Sequence, residues 1–120
     1  MRFLPLVVVS VVVASATACG SFPKPDARLS SSEGAIRGAQ EAGAQGVPQA
    51  TLHLKLAQEE RERAVALIKD GENEKAEYML MRAEADGELA NALAREAAAK
   101  AEAQKTAEQL QELKKKAASE

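Results

Sequence analysis

The chemistry open to this chain is bounded by one cysteine, Cys19, and one histidine, His53. A zinc or iron site needs several His, Cys or carboxylate ligands that converge, and no such spacing is present. A nucleophile–base pair could combine only His53 with a serine. The serines cluster at Ser30-Ser31-Ser32, where the following Glu33 makes them read as a helix start instead. Carboxylates gather at Glu59-Glu60-Glu62 and at Glu84, Asp86 and Glu88. On a helix these spread round a solvated face, interleaved with Arg61, Arg63 and Arg82. Glu59–Arg63, Glu96–Lys100 and Glu112–Lys116 stand acid-first at i,i+4, an order that supports a helix by a few tenths of a kcal/mol. Lys114-Lys115-Lys116 complements a helix C-terminus; against an anionic surface each lysine adds about 1 kcal/mol at best. Tyr78, Met79 and Met81 are expected to line helix contacts. His53 is expected to be a partly exposed helix residue. No catalytic residue, metal ligand or cofactor site is predicted.

That leaves Cys19, and its setting gives it a use. A lone Arg2 precedes the apolar run from Leu4 to Val13, which gives way to Ala14-Ser15-Ala16-Thr17-Ala18. A positive start, a short apolar stretch and a small-residue exit are the parts of an export signal. Ala16-Thr17-Ala18-Cys19 resembles the bacterial lipobox, in which cleavage falls between the residues matching Ala18 and Cys19. The cysteine then carries lipid on its sulfur and its amine. The match departs from that pattern at Ala16, where leucine is usual. Cleavage after Ala16 or Ala18 by the ordinary small-x-small rule is a second reading, and an uncleaved membrane helix a third. The third is opposed by length, since the strongly apolar part is about half of the ~20 residues a span needs. Residues 1–18 are therefore read as a lipoprotein signal, with Cys19 as the acylated first residue.

The elements that follow must hold whatever the anchor carries. Removing residues 1–18 leaves a mildly acidic chain, since the whole carries 16 basic and 18 acidic side chains and Arg2 is the only charge lost. Nucleic-acid binding, which requires a clustered positive face, is not expected. Tyr78 is the only tyrosine and tryptophan is absent, so no stacking platform is available. Alanine dominates instead, with 11 in the 25 residues from Ala83 to Ala107, a composition that favours long helices in close contact. Residues 19–29, with Pro23 and Pro25, read as a tether, and residues 30–120 as one alanine-rich helical domain.

The fold class is all-α. A short helix over about 30–45 opens on a capping box at Ser30 and Glu33 and is weakened by Gly34, Gly38, Gly43 and Gly46. A second helix, about 48–70, starts at Pro48 and stops before Gly71. Its seam is Ala50, Leu54, Ala57, Arg61, Ala64 and Ile68, spaced four and three with one charged intruder. Leu52, Leu56, Val65 and Leu67 widen its apolar surface, which places it at the centre of the fold. A long third helix, about 73–116, carries the seam Ala76, Leu80, Ala83, Gly87, Ala90, Ala94, Ala97 and Ala101. Beyond Ala101 the stripe shifts frame to Ala103, Thr106, Leu110, Leu113 and Ala117. The second and third helices form an antiparallel hairpin, and the distal half of the third projects as an arm.

The turn and the start of the third helix, from Gly71 through Ala76 and Leu80 to Ala83, resemble the middle of a tetratricopeptide repeat, although one partial unit makes no array. A wider resemblance covers residues 19–103. It rests on the lipobox-like start, Ala35-Ile36, Ala39, Ala42-Gly43-Ala44 and Val47-Pro48. It continues through Ala64, Leu67, Gly71, Ala76, Leu80, Ala83, Ala85-Asp86 and Ala90. The pattern is similar to the family called domain of unknown function 4398, found in exported bacterial lipoproteins. The resemblance implies an α-helical envelope module and brings no catalytic residues. Members often continue into an OmpA-like peptidoglycan-binding domain, which this chain is expected to lack. The expected role is a lipid-anchored envelope protein, at the outer membrane facing the periplasm, that acts as a structural or interaction module. Its partners would be the membrane and an envelope protein or a second copy, with no small-molecule substrate. A coiled-coil spacer resembling the small major outer-membrane lipoprotein is the first alternative, and a small-molecule carrier the second.

Overall fold

The computed structural model describes residues 21–119; the export signal, the cleavage point at Ala18 and Cys19 itself lie outside them. Three α-helices, α1 (Asp26–Glu41), α2 (Pro48–Lys69) and α3 (Asn73–Ala117), are joined by a 3-10 turn at Ala44–Gly46 and a tight hairpin, with no strand among the described residues. The chain is all-α, as its periodicities require.

The first helix differs from its predicted span at both ends. It starts at Asp26 rather than near Ser30, directly after Pro25, whose carbonyl accepts from the Leu29 amide at 2.9 Å. Proline fixes φ near its helical value, and Asp26 places negative charge at the positive end of the helix. The predicted capping box therefore lies inside the helix and caps nothing. Ser32 is fully buried, with its hydroxyl donating to the Leu29 carbonyl at 2.8 Å. The extended stretch before the helix is correspondingly shorter than residues 19–29. At the other end α1 stops at Glu41, because Gly43 turns the chain at φ 81°.

α2 begins where Pro48 takes the first helical position, and Thr51 Oγ1 donates back toward the Ala44 and Val47 carbonyls. Its end is a full Schellman turn. Gly71 sits at φ 79°, the Glu72 amide donates to Leu67 at 2.9 Å, and the Gly71 amide donates to Ile68 at 3.1 Å. A side chain at Gly71 would be strained, which is why the hairpin glycine is required there.

The centre of the fold is α3, not α2. Both α1 and α2 pack mainly on α3 and touch each other far less. α2 runs antiparallel to α3, whereas α1 runs parallel to it: Arg28 reaches Glu77 and Glu84, and Gly38 lies against Asn91. The core divides into two apolar clusters. The larger joins Ile36, Ala39, Ala50, Leu54, Ala90 and Ala94, and the smaller joins Ala64, Ala76 and Leu80. Leu29, Leu67, Ile68 and Met79 pack on the smaller one while staying half-exposed.

α3 runs through Gly87 without interruption. Gly87 is where α1 crosses most closely: a Cβ there would stand 2.9 Å from the Ala35 Cβ and 3.1 Å from the Ile36 nitrogen. Past Ala97 every described residue of α3 is exposed, so the last turns extend beyond the body as the predicted arm. At the opposite end the chain entering α1 passes the α2–α3 turn, where Asn73 Nδ2 donates to the Phe22 carbonyl at 2.9 Å.

Candidate functional site

The seam residues chosen from spacing lie mostly inside. Ala50, Leu54, Ala57, Ala64, Ala76, Leu80, Ala83, Ala90 and Ala94 are buried, and Ile68 is half-buried. The polar member of the α2 seam is not Arg61 but its neighbour. Glu60 is 3 % exposed, while Arg61 swings toward α1 and pairs with Glu33. The substitution follows from the wheel: two partners, α1 on one side and α3 on the other, rotate the buried stripe off a strict four-three repeat.

Between the two apolar clusters runs a belt of charge that ties all three helices together. Arg28 of α1 donates to Glu77 at 3.1 Å and to Glu84 at 2.8 Å on α3. The hydrogen bonds it donates, to Glu84 first and then to Glu77, raise the pKa of its guanidinium above the usual range. Glu33 joins α1 to Arg61 of α2. Across the α2–α3 hairpin, Glu60 Oε1 meets Arg82 at 2.5 Å and His53 Nδ1 meets Asp86 Oδ1 at 2.7 Å. The His53–Asp86 pair could not be read from sequence, since only the antiparallel register brings the two together. The signal available was the lone histidine on the face of α2 that turns toward α3.

Glu60 is the unusual member. Its Oε2 is buried without a hydrogen-bond partner. Burial is the largest influence on its carboxyl and raises its pKa; Arg82 opposes this, and the nearby Asp86 adds to the rise. Glu60 is therefore the one member of the belt whose neutral form is favoured by its surroundings. The belt holds no nucleophile, because Ser32 spends its hydroxyl proton on a backbone carbonyl. Glu84, Asp86 and Glu88 do not converge: the first turns to Arg28, the second to His53, and the third is exposed. Among the described residues no three His, Cys, Asp or Glu side chains gather as metal ligands would.

The second candidate surface is the outer side of α3. Tyr78 and Met81, expected in helix contacts, are 61 % and 45 % exposed, while Met79 alone of the three packs inward. Leu89, Leu110 and Leu113 are exposed as well, as are Leu52 and Leu56 of α2. Lys114, Lys115 and Lys116 lie on the last turn of the arm, with Lys116 3.2 Å from Glu112. None of the described helices is long and apolar enough to cross a membrane.

No curated protein and no solved structure matches this chain. A family profile does match, over residues 27–106. The matched stretch opens on the second residue of α1 and continues past Ala94 into the exposed arm, so the arm's first turns are part of the shared pattern. By that match, the chain belongs to the family described as domain of unknown function (DUF4398).

Proposed function

We propose that this protein is a lipid-anchored module of the bacterial cell envelope, held through Cys19 and working by contact rather than by catalysis. The observation that carries the reading is the arm. Residues 98–117 continue α3 as helix, yet all are exposed. An alanine-rich helix of this kind draws most of its stability in water from packing, so a long projecting one is suited to a partner. Acylation supplies the placement: one chain holds a protein marginally, whereas two or more make attachment stable. The outer membrane facing the periplasm is the proposed site, because Gly20 and Ser21 lack the aspartate that retains some lipoproteins in the inner membrane.

The test is metabolic labelling with a clickable palmitate analogue, followed by crosslinking in intact envelopes. Label should appear on the wild-type chain and vanish for Cys19→Ser. Crosslinked complexes should vanish when the chain ends after Ala98. An unlabelled thiol on a chain that still carries its leader would overturn the anchoring. Complexes that survive loss of the arm would overturn its role. The coiled-coil spacer remains a second reading, favoured by the exposed leucines of the arm.

A further inference from the structure

The stripe that emerges at Ala103 does not begin there. Traced back with steps of four and three, the same frame passes through Ala99, Ala92, Leu89 and Ala85 to Tyr78. Every one of these residues is exposed. α3 thus carries two seven-residue repeats, one filled by α1 and α2, the other facing outward along almost its whole length. Arg82, Glu96 and Thr106 are the polar members of the outer repeat.

Helix α2 adds exposed apolar residues of its own. His53 and Glu60 reach across to α3, while Arg61 reaches across to α1. Leu52 and Leu56 stand beside the first pair, on the side of α2 away from α1, and are 57 % and 37 % exposed.

Resting on the reading of the arm as a contact surface, we propose that its occupant is a second copy of this chain, packed antiparallel. The arm of each copy lies along the outer repeat of the other copy's α3. Size argues for this arrangement. When Leu110 is set over Ala85 of the second copy, Tyr78 falls on Ala117, Leu89 on Thr106 and Glu96 on Ala99, so large side chains meet small ones. Arg82 meets Leu113 with its aliphatic stem, its guanidinium already held by Glu60. Charge agrees. Arg95 comes beside Glu102 of the second copy. A parallel, in-register pair would instead stack Arg82 on Arg82 and Glu96 on Glu96. The antiparallel contact is closed by a two-fold axis and uses one patch twice.

The experiment uses the full chain with Cys19→Ser in mild non-ionic detergent. Sedimentation should give twice the monomer mass, falling to the monomer for Leu110→Asp with Leu113→Asp. Both leucines are exposed and outside the core, so the three-helix body of the variant should still unfold cooperatively. Adding Ala85→Cys and Leu110→Cys together should give a covalent dimer on a non-reducing gel. Ala85→Cys alone should not, because its two copies would lie about 40 Å apart along the axis. A monomer mass, or rapid crosslinking by Ala85→Cys alone, overturns the proposal. A monomer that still crosslinks through its arm to a different envelope protein overturns the dimer and leaves the proposed function standing.

Discussion

Glu60 is placed where burial and its neighbours disagree about its charge. Its carboxyl is raised because the charged form is desolvated. A carboxyl raised in the folded state lends stability that is complete below the ordinary glutamate range and is lost as pH rises through the raised value. Unfolding followed by circular dichroism should therefore show the Glu60 contribution growing as pH falls from neutral toward about 4.5. Glu60→Gln should remove this dependence and stabilise the neutral-pH protein by about 1 kcal/mol, since an amide can donate to Asp86 where Oε2 has no partner. Arg82 loses little, being 69 % exposed on its side chain. An unchanged pH profile in the variant would refute this account. Sequence spacing marked one charged position in the α2 seam and assigned it to Arg61. The neighbouring choice depends on how α1 and α3 share the face of α2, a tertiary fact that no single-helix period contains.

Helix boundaries and crossings carry the same lesson at the next scale. Gly71 and Pro48 were legible because each has a backbone reason to stand at a helix end. The start of α1 was not, because two competing starts lie close together, and burial of Leu29 and Ser32 against the bundle favours the earlier. The Ala76-to-Ala94 seam was legible from alanine, leucine and glycine at strict spacing. What spacing could not say is that Gly87 admits α1 rather than bending α3. Gly87→Ala would put its Cβ 3.0 Å from the Ala35 carbonyl carbon. The strain, about 1–3 kcal/mol, should exceed the ~1 kcal/mol gain in helix propensity, so a net loss should appear in thermal melts. Ala90→Leu and Ala94→Leu should each cost about 1–3 kcal/mol by overpacking, since both sites are essentially closed. Neutral melts for these variants would mean that the helices do not approach as closely as described.

Taken whole, the molecule is a short bundle with one helix left to run on. Ending the chain after Ala98 should leave a body that still unfolds cooperatively, at a midpoint independent of concentration. The full chain's midpoint should rise with concentration, as association with the folded state requires. Loss of cooperativity on truncation would show that the arm belongs to the core. Because the residues entering α1 are pinned at the hairpin turn by Asn73, the leash and the free tip sit at opposite ends of a rod roughly 65 Å long. Such a rod has a near end and a far end, and whatever the tip grasps is held at a set height above the point of fastening. Two rods laid head to tail carry their fastenings at opposite extremes. Under the proposed anchoring at one membrane, such a pair lies flat along it, with both fastenings in the same sheet of lipid.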